Sequence, residues 1–153
     1  MPGDYRNIYK TCRTAAGLTQ EAAAERLGVS VESVRAYETG QRIPPTHVVR
    51  QMAVLYNAVY LGLQHLQETD DLYSSVVPEI RPKSVLEASA KLTNRIFAFA
   101  ESHADRRLLR IAEDNVIDAG ERAEFDAIME DLQEIVEAAL ELRCANQICG
   151  KEG

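Results

Sequence analysis

The sequence predicts an all-α protein with two helical parts, and three observations carry this prediction. Short helical patterns that begin on threonine or serine and end on glycine fill the N-terminal third of the chain. A segment with two prolines then interrupts the helical pattern. Beyond it, apolar residues recur every three or four positions, as in a coiled coil. We therefore expect a five-helix N-terminal domain at 1–67, a linker at 68–83, a helical hairpin or coiled-coil domain at 84–146, and a flexible tail at 147–153.

The first three helices are predicted from their caps and their glycines. Residues 5–16 have apolar side chains at helical spacing. Thr19 can cap a second helix, because its hydroxyl can accept a hydrogen bond from a free N–H in the first turn. Gly28 ends that helix, since glycine tolerates the left-handed conformation of such a turn. Ser30 can cap a third helix, and Gly40 stops it.

Prolines delimit the rest of the N-terminal domain. Pro44 and Pro45 mark a loop, after which apolar residues at helical spacing predict a fourth helix that closes the core. Residues 57–66 are predicted to form the fifth helix. Pro78 and Pro82 disfavour a continuous helix in the linker, so we place the domain boundary there.

The first C-terminal helix follows the linker, from Ser84 onward. Its apolar residues step by four and three positions, which indicates a coiled-coil seam that ends on His103. We interpret His103 as the end of the apolar face and not as a metal ligand. Asp105 is predicted to cap a short following helix.

The last helix has the longest regular pattern. Asp118 and Glu121 form a sequence that resembles a capping box at its start. Steps of three and four residues then define a seam of about three heptads. This seam requires a partner, which is either the helix at 84–103 or a second copy of the chain. The candidate dimerisation residues are Phe125, Ile128, Leu132, Ile135 and Leu142.

The segment from Gly17 to Gly40 is the one that suggests a specific function. A short helix, a glycine turn and a second helix that begins on serine form the layout of a DNA-reading helix-turn-helix. Gln20 opens the first of these helices and can bond a phosphate or a base. A plain helical hairpin is the alternative that spacing alone leaves open. The outward residues of the second helix are Val31, Glu32, Ser33, Arg35 and Ala36.

Residues 5–57 resemble the Cro/repressor-type, λ-repressor-like helix-turn-helix of the XRE family. The resemblance rests on the Gly17-Leu18-Thr19-Gln20 entry, on Ala24, on Leu27-Gly28-Val29-Ser30, on Ser33-Val34, and on Tyr37-Glu38-Thr39-Gly40 followed by Arg42. It implies that Gln20 contacts the DNA backbone and an outer base, and that Arg42 meets a phosphate. It also implies a structural salt bridge between Arg13 and Glu38.

The base-facing positions depart from the family pattern. Many members carry Gln, Lys or Arg where this chain has Val31 and Ala36. Apolar side chains there can touch a thymine methyl group, while Glu32 can accept a hydrogen bond from a cytosine amine. Arg35 can contact a guanine or a phosphate. The candidate DNA-binding residues are therefore Thr19, Gln20, Ser30, Val31, Glu32, Ser33, Arg35, Ala36 and Arg42.

The charge is unevenly distributed between the two parts. The net charge of the chain is −7, which by itself opposes DNA binding. Residues 1–57 carry seven basic and five acidic side chains, whereas residues 58–153 carry ten basic and nineteen acidic ones. The basic excess thus lies where phosphate contacts are needed. Because this excess is small, tight binding favours two copies on one duplex.

Other functional classes have little support in the sequence. The three cysteines are an odd number, so we expect free thiols and no disulfide framework. Asp114–Glu121 echoes half of a calcium-binding loop, but its first and third ligand positions hold Arg110 and Ala112. The histidines are scattered and no phosphate-binding glycine loop is present. We expect no metal, no cofactor and no enzymatic activity.

These observations together predict a sequence-specific transcriptional regulator, with a repressor role favoured. We expect it to bind double-stranded DNA as a homodimer with helix 30–39 in the major groove. The acidic C-terminal half resembles that of small regulators from phages and Gram-positive bacteria. The alternative is an antitoxin or antirepressor whose acidic helices bind a partner protein. We find no apolar run long enough for a membrane span and no signal peptide, so we expect a cytoplasmic location.

Overall fold

The computed structural model describes residues 7–81 and 83–145, and over these residues the protein is all-α, as predicted. The predicted tail at 147–153 lies outside the described residues. The described part of the chain contains α1 (Ile8–Ala15), α2 (Gln20–Leu27), α3 (Val31–Glu38), α4 (Thr46–Leu55), α5 (Val59–Thr69), α6 (Asp71–Val76), α7 (Val85–Glu101), α8 (Ala104–Ile111), a 3₁₀ turn (Ala112–Asp114) and α9 (Arg122–Cys144).

The described residues divide into two compact units, 7–77 and 78–145. The first unit contains α1 to α6, and the second contains α7 to α9. A short helix, α6, occupies part of the segment that we expected to be a linker. It forms because the carboxylate of Asp70 accepts a hydrogen bond of 3.0 Å from the N–H of Tyr73, which satisfies the helix start.

The core of the first unit is built by α1 to α5. Pro45 precedes α4, and the buried Pro44 sits beside it. Burying a large aliphatic or aromatic side chain contributes about 1.5–3 kcal/mol, so the nine large members of the buried cluster supply the main driving force for this unit. The buried cluster consists of Ile8, Tyr9, Cys12, Ala23, Leu27, Tyr37, Val48, Val49, Met52, Tyr56, Ala58 and Leu61.

A buried polar contact joins α1 to α5. The hydroxyl oxygen of Tyr9 lies 2.6 Å from Nδ1 of His65, and His65 is only 4% exposed. Burial lowers the pKa of His65, because the low-dielectric surroundings disfavour its charged form. Helical spacing could not reveal this pair, since the two residues are 56 positions apart.

Cys12 and Cys144 differ in the structure, and Cys149 lies outside the described residues. Cys144 is a free, buried thiol, and burial raises its pKa. Cys12 is disulfide-bonded. The expectation of free thiols is therefore correct for Cys144 and wrong for Cys12.

The second unit is organised by the packing of α7 against α9. Ser84 starts α7 with a full capping box. Further along, Nζ of Lys91 lies 2.6 Å from Glu137 and 3.0 Å from Glu141. Burial lowers the pKa of Lys91, but hydrogen bonds to these two carboxylates outweigh burial and raise it overall. The side chain of Glu141 has no exposed surface, and Lys83 also approaches it to 3.5 Å.

The heptad seam of α9 is largely filled from within its own unit. Ile128 is fully buried in a cluster with Ala104 and Ile111. Phe125 and Leu132 pack against the same cluster, together with Phe99 of α7 and two apolar residues from α8 and the loop that follows it. Ile128 is thus buried by its own unit, so its predicted role as a dimer contact has no exposed surface to support it. Ile135 and Leu142 are half-buried.

The predicted helix starts in the second unit have different outcomes. Asp105 is not the cap of α8, because His103, with φ 56°, is the residue that precedes this helix. His103 accordingly follows α7 as an exposed turn residue and does not extend its seam. The reciprocal bonds predicted before α9 are present. Asp118 accepts from the N–H of Glu121 at 2.9 Å, and Glu121 accepts from the N–H of Asp118 at 3.3 Å, although α9 itself begins at Arg122.

Candidate nucleic-acid interface

Two capped helices and a glycine turn form the candidate interface, with the boundaries that the sequence predicts. The hydroxyl of Thr19 accepts a hydrogen bond of 3.1 Å from the N–H of Ala22 and starts α2. Gly28 ends α2 at φ 67°, a left-handed conformation that glycine adopts without strain. Ser30 then accepts from the N–H of Ser33 at 3.1 Å and starts α3.

The packing of α3 decides which of its residues face outward. Val34 and Tyr37 are buried against the rest of the unit, so the opposite side of the helix is left to solvent. Glu32 and Arg35 are exposed on that side. The solvent side of α3 thus presents one acid and one base, which can reach the donors and acceptors of base edges.

A buried ion pair lies beneath this surface and ties α1 to α3. Nε of Arg13 lies 2.5 Å from Oε1 of Glu38, and its Nη2 donates to Oε2 at 3.0 Å. The two side chains are only 10% and 3% exposed. The hydrogen bonds to Glu38 raise the pKa of Arg13, and burial followed by the Glu38 charge raises the pKa of Tyr56 to about 12. The resemblance to the XRE family had implied this pair.

Gln20 links the buried pair to the surface. Its Nε2 donates to Oε2 of Glu38 at 2.8 Å, and its Oε1 accepts from Nε of Arg35 at 3.2 Å. A carboxylate can only accept and a guanidinium can only donate, so these two partners fix which way the amide of Gln20 points. One N–H of the Gln20 amide is left without a partner by these two bonds, and the Arg35 side chain is exposed.

Arg42 is held at the end of the motif by an aromatic ring. Its guanidinium carbon lies 5.0 Å from the centroid of the Tyr37 ring, within the range of a cation–π contact. Its backbone N–H donates to the carbonyl of Ala36 at 3.1 Å. The base of the loop after α3 is therefore fixed, while the Arg42 side chain stays exposed and able to meet a phosphate.

The remaining candidate residues have smaller or more local roles in the structure. Val31 and Ala36 are half-buried, so each offers only a small apolar surface. The hydroxyls of Ser30 and Ser33 lie 2.9 Å apart and bond to each other. The structure thus brings Gln20 and Arg35 into direct contact, while Ser30 and Ser33 pair separately at the start of α3.

Residues 10–60 match a family model described as a helix-turn-helix domain. The chain contains a helix-turn-helix domain. The match covers about a third of the sequence and includes α2, α3 and every candidate DNA-binding residue. A helix-turn-helix is a DNA-binding module, so this part of the chain is assigned to DNA binding. Comparison of the chain with curated proteins and with solved structures found no match.

Some residues of the helix-turn-helix surface were not found by reading the sequence. Glu21 approaches Arg35 to 3.9 Å, and both side chains are largely exposed. Tyr37 entered the sequence analysis only as a residue of the family resemblance, although its ring lies 5.0 Å from the guanidinium carbon of Arg42. Both contacts join residues from different parts of the motif, so helical spacing could not reveal them.

The helices in residues 7–81 and 83–145 do not support insertion into a membrane. Within these residues, every helix is too short or too polar to cross a bilayer.

Proposed function

We propose that the protein is a sequence-specific transcriptional regulator of the XRE type that acts as a repressor, without enzymatic activity. The observation that supports this proposal best is the solvent side of α3, where Glu32 is exposed and Arg35 contacts Gln20 at the start of α2. A recognition helix reads the major groove with such outward residues, while the preceding helix crosses the DNA backbone.

The proposed contacts divide into two classes. Gln20, Ser30 and Arg42 contact phosphates and fix the position of the domain on the duplex. Val31, Glu32, Ser33 and Arg35 face base edges, with Ala36 beside them. An arginine can bind guanine through O6 and N7, and a glutamate can accept from the amine of cytosine. Arg35 and Glu32 on one helix face thus favour a site rich in G·C pairs.

We further propose that the regulator binds as a homodimer. The small positive charge of the helix-turn-helix part limits the affinity of one copy, and a second copy adds a second set of phosphate contacts. Met129 and Val136 on α9 are 44% and 46% exposed and lie seven residues apart, so they share one face. The half-buried Leu132 and Ile135 border them. This exposed stripe, and not the filled seam around Ile128, is the proposed contact between copies.

The alternative is a protein-binding antitoxin or antirepressor, in which the acids of the C-terminal helices grip a partner. Several of these acids already have partners within the unit. Glu124 contacts Arg107 and Arg110, and Glu137 and Glu141 contact Lys91. Because the charges of Glu124, Glu137 and Glu141 are engaged inside the unit, these three acids give the alternative less support than the DNA-binding proposal has.

Two substitutions test the division between phosphate and base contacts. Arg42→Ala should weaken binding to all sequences and reduce the slope of log K against log salt concentration by about one. Glu32→Ala should instead change the preference at one base pair, by about 1–3 kcal/mol. Lys10→Ala, which removes an exposed cation of α1, is the control for a general charge effect.

The measurement combines selection of bound sequences from random duplex DNA with titrations at several salt concentrations and a mass measurement in solution. Equal effects of Arg42→Ala and Glu32→Ala on specific and random DNA would overturn the division of roles. A monomeric mass both free and on DNA would overturn the dimer.

A further inference from the structure

A cleft of about 560 Å³ opens on the first unit, between α2 and α4. It shares no residue with the candidate nucleic-acid interface, since it is formed by the C-terminal end of α2 and the exposed side of α4. Its volume lies within the range of small-molecule sites, about 300–1,000 Å³. The side chains that contribute polar groups to the cleft are Arg26, His47, Arg50 and Gln51.

The cations of this cleft are not neutralised by the surrounding protein. Among the described residues, neither Arg26 nor Arg50 has a carboxylate within ion-pair distance. The other arginines described in this unit do have partners, because Arg13 and Arg35 contact acids and Arg42 lies over a ring. No acidic residue lines the cleft. In a chain of net charge −7, it is thus a concave positive site that concentrates anions.

The other side of the cleft is apolar. Val54 is 79% exposed, and Leu55 is half-buried beside it. An apolar wall with a few convergent polar groups is the ordinary composition of a ligand site. A purely ionic site, such as one for a free phosphate, would gain nothing from this wall.

We propose that this cleft binds a small organic anion. Its carboxylate or phosphate lies between Arg26 and Arg50, where the guanidiniums donate charge-assisted hydrogen bonds. Gln51 adds a neutral donor or acceptor, and an apolar body covers Val54 and Leu55. This inference does not rest on the proposed regulatory function, because it concerns a separate surface of the domain.

The test uses the full chain and two probes that differ in one group, 2-naphthoate and 2-naphthylmethanol. Chemical shifts in the NMR spectrum report binding at individual residues of α2 and α4. We expect 2-naphthoate to shift the signals of Arg50, Gln51 and Val54 with a dissociation constant on the order of 1 mM or lower. The neutral alcohol should bind at least roughly tenfold more weakly, because it lacks the charge-assisted bonds. Inorganic phosphate, which lacks the apolar body, should also bind more weakly than 2-naphthoate.

Three variants test whether the probe binds in the cleft. Arg26→Gln combined with Arg50→Gln should remove the preference for the anion, and Val54→Glu should repel 2-naphthoate while leaving both arginines in place. Lys10→Gln removes one positive charge from α1 and should leave probe binding unchanged. All of these side chains are exposed, so folding should be preserved. Each variant is also titrated with random duplex DNA.

The proposal is overturned if both naphthalene probes bind equally, or if phosphate binds as tightly as 2-naphthoate. It is also overturned if the double arginine variant binds 2-naphthoate like the unchanged chain. Loss of random-DNA binding without any change in probe binding would assign the two arginines to DNA phosphates instead. If Arg42→Ala does not change DNA binding, the proposed regulatory function fails, but the measurements of probe binding remain valid. The two proposals can therefore be refuted independently.

Discussion

Replacement of Glu38 by glutamine tests the connection between the core and the helix-turn-helix surface. Glu38 accepts three hydrogen bonds, two from Arg13 and one from Gln20, and its side chain is 3% exposed. Glutamine preserves the shape but offers only one acceptor oxygen, and its amide group turns a donor toward other donors. Arg13, which is 10% exposed, then loses its counter-ion.

The expected cost follows from this burial. Removal of one partner of a buried ion pair costs about 3–5 kcal/mol, because the remaining charge is left without compensation. Domains of this kind are stable by about 5–15 kcal/mol in total, so Glu38→Gln should remove a large part of that stability. Replacement of both partners by apolar residues, Arg13→Met with Glu38→Leu, should recover much of the loss, because no buried charge remains.

The assay is urea denaturation followed through the amide NMR signals of α1 to α5, which separates this unit from the second one. Glu21→Gln is the matched control, since it removes the same charge from an exposed pair in which Arg35 lies 3.9 Å away. Such pairs contribute about 0–1 kcal/mol. If Glu38→Gln and Glu21→Gln shift the midpoint equally, the reasoning about the buried pair is refuted.

Two further predictions concern buried titratable groups. Glu141→Gln should destabilise the second unit by about 3–5 kcal/mol in urea denaturation, because the fully buried carboxylate of Glu141 compensates two lysines. Glu134→Gln, which changes an exposed ion pair with Arg95, is the control. An equal loss of stability in both variants would contradict the prediction. The pKa of His65 is lowered in the folded state, so the unfolded state binds a proton first as the pH falls. The first unit should therefore lose stability below a pH of about 6.5, by at most about 1.4 kcal/mol per pH unit. This slope should disappear in His65→Gln and persist in Tyr9→Phe, and persistence in both would assign it to other groups.

Local chemistry made the helix-turn-helix predictable. Thr19, Gly28 and Ser30 each act on their own backbone or on residues within a few positions, so their roles can be read from short stretches of sequence. The same holds for the reciprocal bonds of Asp118 and Glu121. The positions of α2, α3 and the turn between them therefore followed from capping and glycine chemistry.

Contacts between distant elements were harder to predict. A heptad pattern states that a helix needs a partner but does not say which partner, and Ile128 proved to pack inside its own unit. The bond between Tyr9 and His65 depends on how α1 meets α5, which periodicity does not determine. The cleft beside Arg26 and Arg50 similarly arises from two helices that are separated in sequence.

The bond between Gln20 and Arg35 has a consequence for the entropy of DNA binding. Ordering a long, flexible side chain at an interface costs about 0.5–1.5 kcal/mol. Gln20 is already restrained by Glu38, and Arg35 by Gln20, before any DNA is present. Part of this entropy cost is thus met when the protein folds. The domain has few polar side chains that can contact bases, and the restraint of Gln20 and Arg35 reduces the entropy that these two lose on binding.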